Sequence, residues 1–139
     1  MSRLRFPTRR LALGAILLAG LALLPAGVAA FAASSDKTML LLEPTERMEQ
    51  RCNARAMGEV SRQHPGMHPD ELVAYAFSDT RIRDDQVTAA GAAVRSGGHW
   101  YHLSYRCVTK DEGLGIETLT YVLGDQIPRD DWDAHGLVP

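Results

Sequence analysis

Cys52 and Cys107 are the only thiols in a chain of 139 residues, and two thiols can do three kinds of chemistry: attack, ligate a metal, or join. A nucleophilic cysteine needs a depressed pKa and a base beside it, and neither a C-x-x-C nor a close Cys–His spacing occurs. Two cysteines allow one pairing, closing a loop of about 55 residues, so a structural disulfide is expected. The chain-entropy argument gives such a loop roughly 4 kcal/mol, comparable with the whole net stability of a small domain.

The other chemically able residues are scattered. His64 and His68 flank Met67 in His-Pro-Gly-Met-His-Pro, donor types that suit copper; the prolines and glycine around them read as a connecting loop. His99 and His102 are three apart along an expected strand and point to opposite faces. Asp131-Trp132-Asp133-Ala134-His135-Gly136 begins like a calcium loop, but no Glu follows at the twelfth position. Asp84-Asp85 and Asp130-Asp131 read as solvated acids in loops. There is no G-x-S-x-G, no phosphate-binding glycine loop and no H-E-x-x-H. No catalytic residue, metal or cofactor is therefore expected.

The amino terminus carries a different signal. Arg3, Arg5, Arg9 and Arg10 precede an apolar run over 11–24, Pro25 and Gly27 break it, and small residues fill 26–33. That is the pattern of a secretory signal peptide over 1–33, with cleavage before Phe31 or Ala33. The uncharged stretch 11–33 is 23 residues, enough to span a bilayer as an uncleaved anchor, but Pro25 and the alanine-rich end favour cleavage. Thr8-Arg9-Arg10-Leu11-Ala12-Leu13 partly matches a twin-arginine signal; Ala12 stands where Phe is usual, so general secretion is the expectation. No Cys follows the apolar run to support a lipid anchor.

All 17 acids lie beyond residue 33, whereas four of the 15 Lys and Arg lie before it. The remainder is therefore acidic by six charges, which argues against a protein built to hold nucleic acid. A periplasmic or secreted domain over 44–139 is expected after a flexible lead-in at 34–43, touching the membrane only through the signal segment if that is uncleaved.

The elements that must position these residues follow from periodicity. Pro44 suits a helix start, with Glu46 and Glu49 near the positive end of the dipole. Met48, Cys52, Ala56 and Val60 recur every four residues, predicting an amphipathic helix over 45–63 that Pro65-Gly66 ends. Pro69-Asp70-Glu71 reads as a turn. Val73, Tyr75 and Phe77 alternate with smaller residues as a first strand, and 79–86 reads as a charged loop. Gly97-Gly98 between two alternating runs, 87–96 and 99–109, predicts a two-residue hairpin turn. A last strand follows over 116–123, then a terminal helical turn over 127–132.

That hairpin sets a register. Tyr101 faces Val94, Leu103 faces Ala92 and Tyr105 faces Ala90, a face of large against small residues that a helix can cover. Cys107 shares this face and Cys52 lies on the helix's apolar stripe, so packing and disulfide agree. The opposite face pairs Arg95 with Trp100, Ala93 with His102 and Gly91 with Ser104. An indole beside a guanidinium over small neighbours suggests a shallow binding shelf of Arg95, Trp100, His102 and Ser104, unless the segment carrying Trp132, or a second copy of the chain, covers it. The side on which Leu119, Tyr121 and Leu123 fall depends on the length of the turn at 111–114.

Several separated stretches also carry a resemblance. Leu42-Glu43-Pro44-Thr45-Glu46-Arg47 through Cys52-Asn53-Ala54-Arg55-Ala56-Met57, Val73-Ala74-Tyr75-Ala76-Phe77, Gly91-Ala92-Ala93-Val94-Arg95-Ser96, Trp100-Tyr101-His102-Leu103-Ser104-Tyr105-Arg106-Cys107 and Ile127-Pro128-Arg129 together resemble an alphaproteobacterial exported family, Domain of Unknown Function 930. The resemblance covers about residues 41–139. It implies an exported protein of alphaproteobacterial type and brings no catalytic positions with it.

The expected fold is α+β: one long amphipathic helix on a mostly antiparallel four-stranded sheet with one disulfide. The expected function is a non-enzymatic binding or interaction module of the cell envelope, its partner an envelope protein or small ligand. The alternatives are a small hydrolase or metal-dependent enzyme with residues scattered in sequence, and a purely structural envelope protein.

Overall fold

A computed structural model of the chain describes residues 36–139; the expected signal segment at 1–33, with its cleavage positions and arginine pair, lies outside the described residues. A helical turn over 36–39 is tied to the main helix by an ion pair between Asp36 and Arg51.

Helix α1 spans Pro44–Gln63, with the proline in its first turn and no side-chain cap at Glu43. Proline's fixed φ and missing N–H suit this position. Met48, Cys52, Ala56 and Val60 are buried at the expected four-residue spacing, but the buried residues also include Arg47 and Asn53. On the solvent side Glu59 pairs with Arg55 at 2.9 Å and with Arg62, and the hydrogen bond from Arg62 chiefly lowers the pKa of the Glu59 carboxyl. The helix ends where His64 turns extended and Gly66 takes φ 91°.

Five strands follow, with every pairing antiparallel: β1 Pro69–Val73, β2 Arg81–Arg83, β3 Gln86–Ser96, β4 His99–Lys110 and β5 Gly115–Gln126. The order is β1-β3-β4-β5, and β2 also pairs with β3. Strands β1 and β2 share one edge of β3, the first beside Ala93–Ser96 and the second beside Gln86–Thr88. The expectation of four strands thus becomes five.

The first strand lies earlier than its alternation suggested. Pro69-Asp70-Glu71 is strand, not turn, because Arg95 on β3 holds the Asp70 and Glu71 carboxylates at 2.9 and 2.8 Å. Pro69 opens an edge strand, where a missing N–H costs no ladder bond. The strand gives way to a turn at 74–75 and a bend over 76–78, so Val73, Tyr75 and Phe77 do not line one face, and Tyr75 is 65% exposed. The expected charged loop over 79–86 contains β2, whose half-buried Ile82 packs against the main core.

The β3–β4 hairpin turns at Gly97-Gly98, with φ 59° and 76°, values that glycine adopts without a Cβ penalty. The register holds as expected from Arg95↔Trp100 to Ala92↔Leu103. A bulge then intervenes, and Tyr105 pairs with Ala89 rather than Ala90, while the expected Gly91–Ser104 pair is absent. The cause is a close approach of backbone. Phe77 donates its N–H to the Gly91 carbonyl at 2.8 Å, and a Cβ at Gly91 would stand 2.6 Å from the Ser78 nitrogen. The extra residue returns Ala89 and Val87 to the helix side and leaves Ala90 exposed.

The main core lies between α1 and the sheet: Met48, Cys52, Ala56 and Val60 against Val87, Ala89, Ala92, Val94, Leu103, Tyr105 and Cys107. Strand β5 turns Leu119, Tyr121 and Leu123 toward this same core, resolving which side they take. The Cys52–Cys107 disulfide joins α1 to β4 across a Cα–Cα distance of 6.0 Å. Tyr105 donates its hydroxyl to Asn53 Oδ1 at 2.6 Å, so the polar residue in the helix's buried face has a partner.

A second, smaller core lies on the other side of the sheet. After β5 the chain makes two 3-10 turns, Arg129–Asp131 and Asp133–His135, and folds back so that Ile127, Trp132 and Leu137 cover Ala93 and Trp100. No helix among the described residues is long and apolar enough to cross a membrane.

Candidate functional site

The four residues expected to form a shelf lie on the outer face of the sheet, away from α1, but the C-terminal segment divides them. Trp100 is 0% exposed. Its Nε1 donates to the Val138 carbonyl at 2.8 Å, and Trp132 and Leu137 join its cluster. Arg95 lies over the same indole at 5.6 Å and donates Nη1 to the Pro139 carbonyl at 2.9 Å while holding Asp70 and Glu71. Both residues are thus engaged in closing the domain, and Trp100 offers no ring to a ligand. The physical reason is that three apolar residues of the C-terminal segment, Ile127, Trp132 and Leu137, bury themselves by covering it and Ala93.

His102 and Ser104 remain on the uncovered part. The His102 ring packs on Phe77 at 4.5 Å between centroids, and Phe77 packs in turn on His135 at 3.9 Å, so His102 marks the border of the covered half. Ser104 pairs with Val122 of β5, and both residues line two shallow grooves of about 320 and 310 Å³.

Beyond Ser104 the outer face changes character. Side chains alternate along a strand, and paired residues on neighbouring strands stand side by side on one face. The pairings Arg81↔Thr88, Thr88↔Arg106 and Arg106↔Thr120 therefore set one row across β2, β3, β4 and β5. Next to it runs Arg83, Gln86, Val108 and Thr118. Arg81, Arg83, Gln86, Thr88 and Arg106 together line a concavity of about 200 Å³ that no carboxylate lines. Among the described residues none of its three guanidiniums joins an ion pair, whereas Arg51, Arg55, Arg62 and Arg95 all do.

Strands in a sheet stand about 4.8 Å apart, so Arg81 and Arg106 rise from backbones roughly 10 Å apart with Thr88 between them. Each guanidinium offers a planar fork of donors matched to the oxygens of a phosphate or carboxylate, and the Thr88 hydroxyl sits at the centre. This arrangement can hold an oxyanion without chemical change. Sequence reasoning missed it because Arg81-Ile82-Arg83 is too short a run to show period two inside a charged stretch. The inward Ile82 between two arginines was the one available signal.

The residues considered for metal chemistry lie elsewhere. His64 packs edge-on against Tyr121 at 6.1 Å, and the His68 amide donates to Ser96 Oγ at 2.8 Å. Among the described residues no group of three or more His, Cys, Asp or Glu is arranged to hold a metal ion.

Compared with known proteins, residues 39–137 match the family described as Domain of Unknown Function (DUF930). No curated protein and no solved structure matches the chain.

Proposed function

We propose, since the chain belongs to the DUF930 family and that description brings no activity with it, a function read from the protein's own surface: a non-enzymatic binding module of the cell envelope that docks a phosphate-class oxyanion carried by its ligand. The observation carrying this reading is the acid-free concavity where Arg81, Arg83 and Arg106 surround Thr88. Residues beyond 33 carry six more acids than bases, and against that background three guanidiniums grouped with no ion-pair partner among the described residues leave a local positive field that complements an anion. His102 and Ser104 extend the face toward the covered half, and the grooves they line give the rest of a ligand a place to lie.

The compartment belongs to the same proposal. A buried disulfide suits an oxidising environment, and the arginine-led apolar stretch at 1–33 reads as the export signal that delivers the chain there.

Titrating the purified protein with inorganic phosphate while following backbone amide shifts tests the binding face. Saturable shifts are expected at Thr88, Arg106 and Thr120. They should weaken from about 0.1 M to 1 M salt as the screening length falls from about 10 Å to about 3 Å. An Arg81→Gln, Arg106→Gln double variant should keep the fold and lose the response. Shifts that fail to saturate, or that survive the double variant, would sink the reading.

A second reading, a purely structural envelope protein, is favoured by one observation: the chain's own C-terminal segment already covers Trp100. It predicts no response to phosphate at all.

A further inference from the structure

We infer a second binding site at the N-terminal end of α1, one that takes a short zwitterionic peptide by its two charged ends. A cavity of about 500 Å³ lies there, lined on one side by Thr45, Arg47 and Met48 of the helix and on the other by Asp84, Asp85 and Glu112. Its size falls within the range of about 300–1,000 Å³ usual for small-molecule sites.

Arg47 is the decisive residue. It is 6% exposed, yet its Nε has no hydrogen-bond partner and its guanidinium joins no ion pair among the described residues. A buried charge is normally paired, because desolvation without a partner is costly. Three carboxylates line the same cavity and none comes within ion-pair distance of it. The guanidinium therefore stands on one wall with its buried Nε unmatched and the acids on the other.

The helix adds to the positive wall. Glu43 at the N-cap makes no side-chain cap bond, so first-turn N–H groups lack a side-chain cap at the positive end of the helix dipole, where Glu46 is the acid of the first turn. Gly113, at φ 81°, leaves room for Met48 beside the guanidinium. A Cβ there would stand 2.8 Å from Met48 Cγ and 3.6 Å from Arg47 Nε.

A simple anion would satisfy Arg47 but face three carboxylates, and a simple cation would meet the guanidinium. A ligand with a carboxylate at one end and an ammonium at the other answers both walls, and Met48 and Pro44 give its middle an apolar contact. A peptide with free termini has this form.

Calorimetric titration with L-Ala-L-Ala, N-acetyl-L-Ala-L-Ala and L-Ala-L-Ala amide tests the assignment. The free dipeptide is expected to bind saturably, and each blocked peptide about tenfold more weakly or worse, because a hydrogen bond to a charged group contributes at least that factor. Arg47→Met should abolish binding of the free and N-acetyl peptides. The exposed substitutions Asp85→Asn and Glu112→Gln keep the test valid should Arg47→Met fail to fold. They should weaken the free dipeptide and tighten the N-acetyl peptide, whose lone carboxylate then faces fewer acids, so the preference for the free form narrows from both sides. Three results would each overturn the inference: no saturable heat with any of the peptides, equal affinity for the free and N-acetyl forms, or acid-to-amide variants that leave the preference for the free form intact. The phosphate titration reads the separate arginine concavity, so either site can fail without the other.

Discussion

Tyr105 places a phenol inside the main core with its hydroxyl on Asn53, and two consequences follow at the scale of single atoms. Burial, with the Glu49 carboxylate adding to it, pushes the phenol well above its ordinary value of 10. A folded-state pKa raised in this way gives stability that is complete below pH 10 and is lost as the pH climbs beyond it, since the unfolded chain releases that proton first. Thermal melts between about pH 8 and 11 should therefore show a steep alkaline fall, and Tyr105→Phe should flatten it. The same variant should cost about 1–3 kcal/mol near neutrality, because Asn53 Oδ1 loses its buried donor. An unchanged alkaline limb would mean that other groups govern it. The residue scale is also where the sequence was least sufficient. Trp100 beside Arg95 was legible from the hairpin register, but whether the indole faced solvent depended on where Ile127, Trp132 and Leu137 went, and no local rule states that.

At the scale of elements the most consequential device is the bulge in β3. It exists because the connection between β1 and β2 presses on Gly91, and it decides which half of β3 shows which residues outward. Gly91→Ala would put a methyl 2.6 Å from the Ser78 nitrogen, and a backbone atom cannot rotate away. A loss of about 1–3 kcal/mol is expected, the usual cost of forcing extra volume into a packed place, read as a lower denaturant midpoint with the slope unchanged. Stability equal to that of the parent protein would show that the loop yields. The helix, the hairpin turn and the first four pairs of its register were legible because each rests on local chemistry: Pro44, the Met48–Val60 spacing, two adjacent glycines. Strands β1 and β2 were not, because short edge strands lack a buried face of their own. What identifies β1 is Arg95 reaching across to Asp70 and Glu71, a contact between residues 25 apart. The arginine row on the outer face was hidden with β2 for the same reason.

At the scale of the whole molecule, one sheet separates two cores and two kinds of surface. The disulfide spans 55 residues and links α1 to β4, so it constrains every strand from β1 to β4 in the unfolded chain. Reduction should remove roughly 4 kcal/mol, which for a domain of this size lowers the melting temperature by about 15 °C or more. Equal melting temperatures with and without reductant would deny the bond any role in stability. The charge arrangement is equally global. An acidic chain keeps three guanidiniums that join no ion pair among the described residues together on the outer sheet face, and one buried guanidinium at the helix start, and those are the two places where binding is proposed.

The C-terminal cover has a spectroscopic consequence. Both of the chain's tryptophans, Trp100 and Trp132, lie in the smaller core and neither lies beside the helix. Indole fluorescence therefore watches only the clasp on the outer face, while far-ultraviolet circular dichroism is dominated by α1 and the strands. Coincident transitions by the two probes would mean that both layers melt as one unit. An earlier fluorescence change would expose an opening in which the clasp leaves the sheet and the disulfide-joined core stays folded.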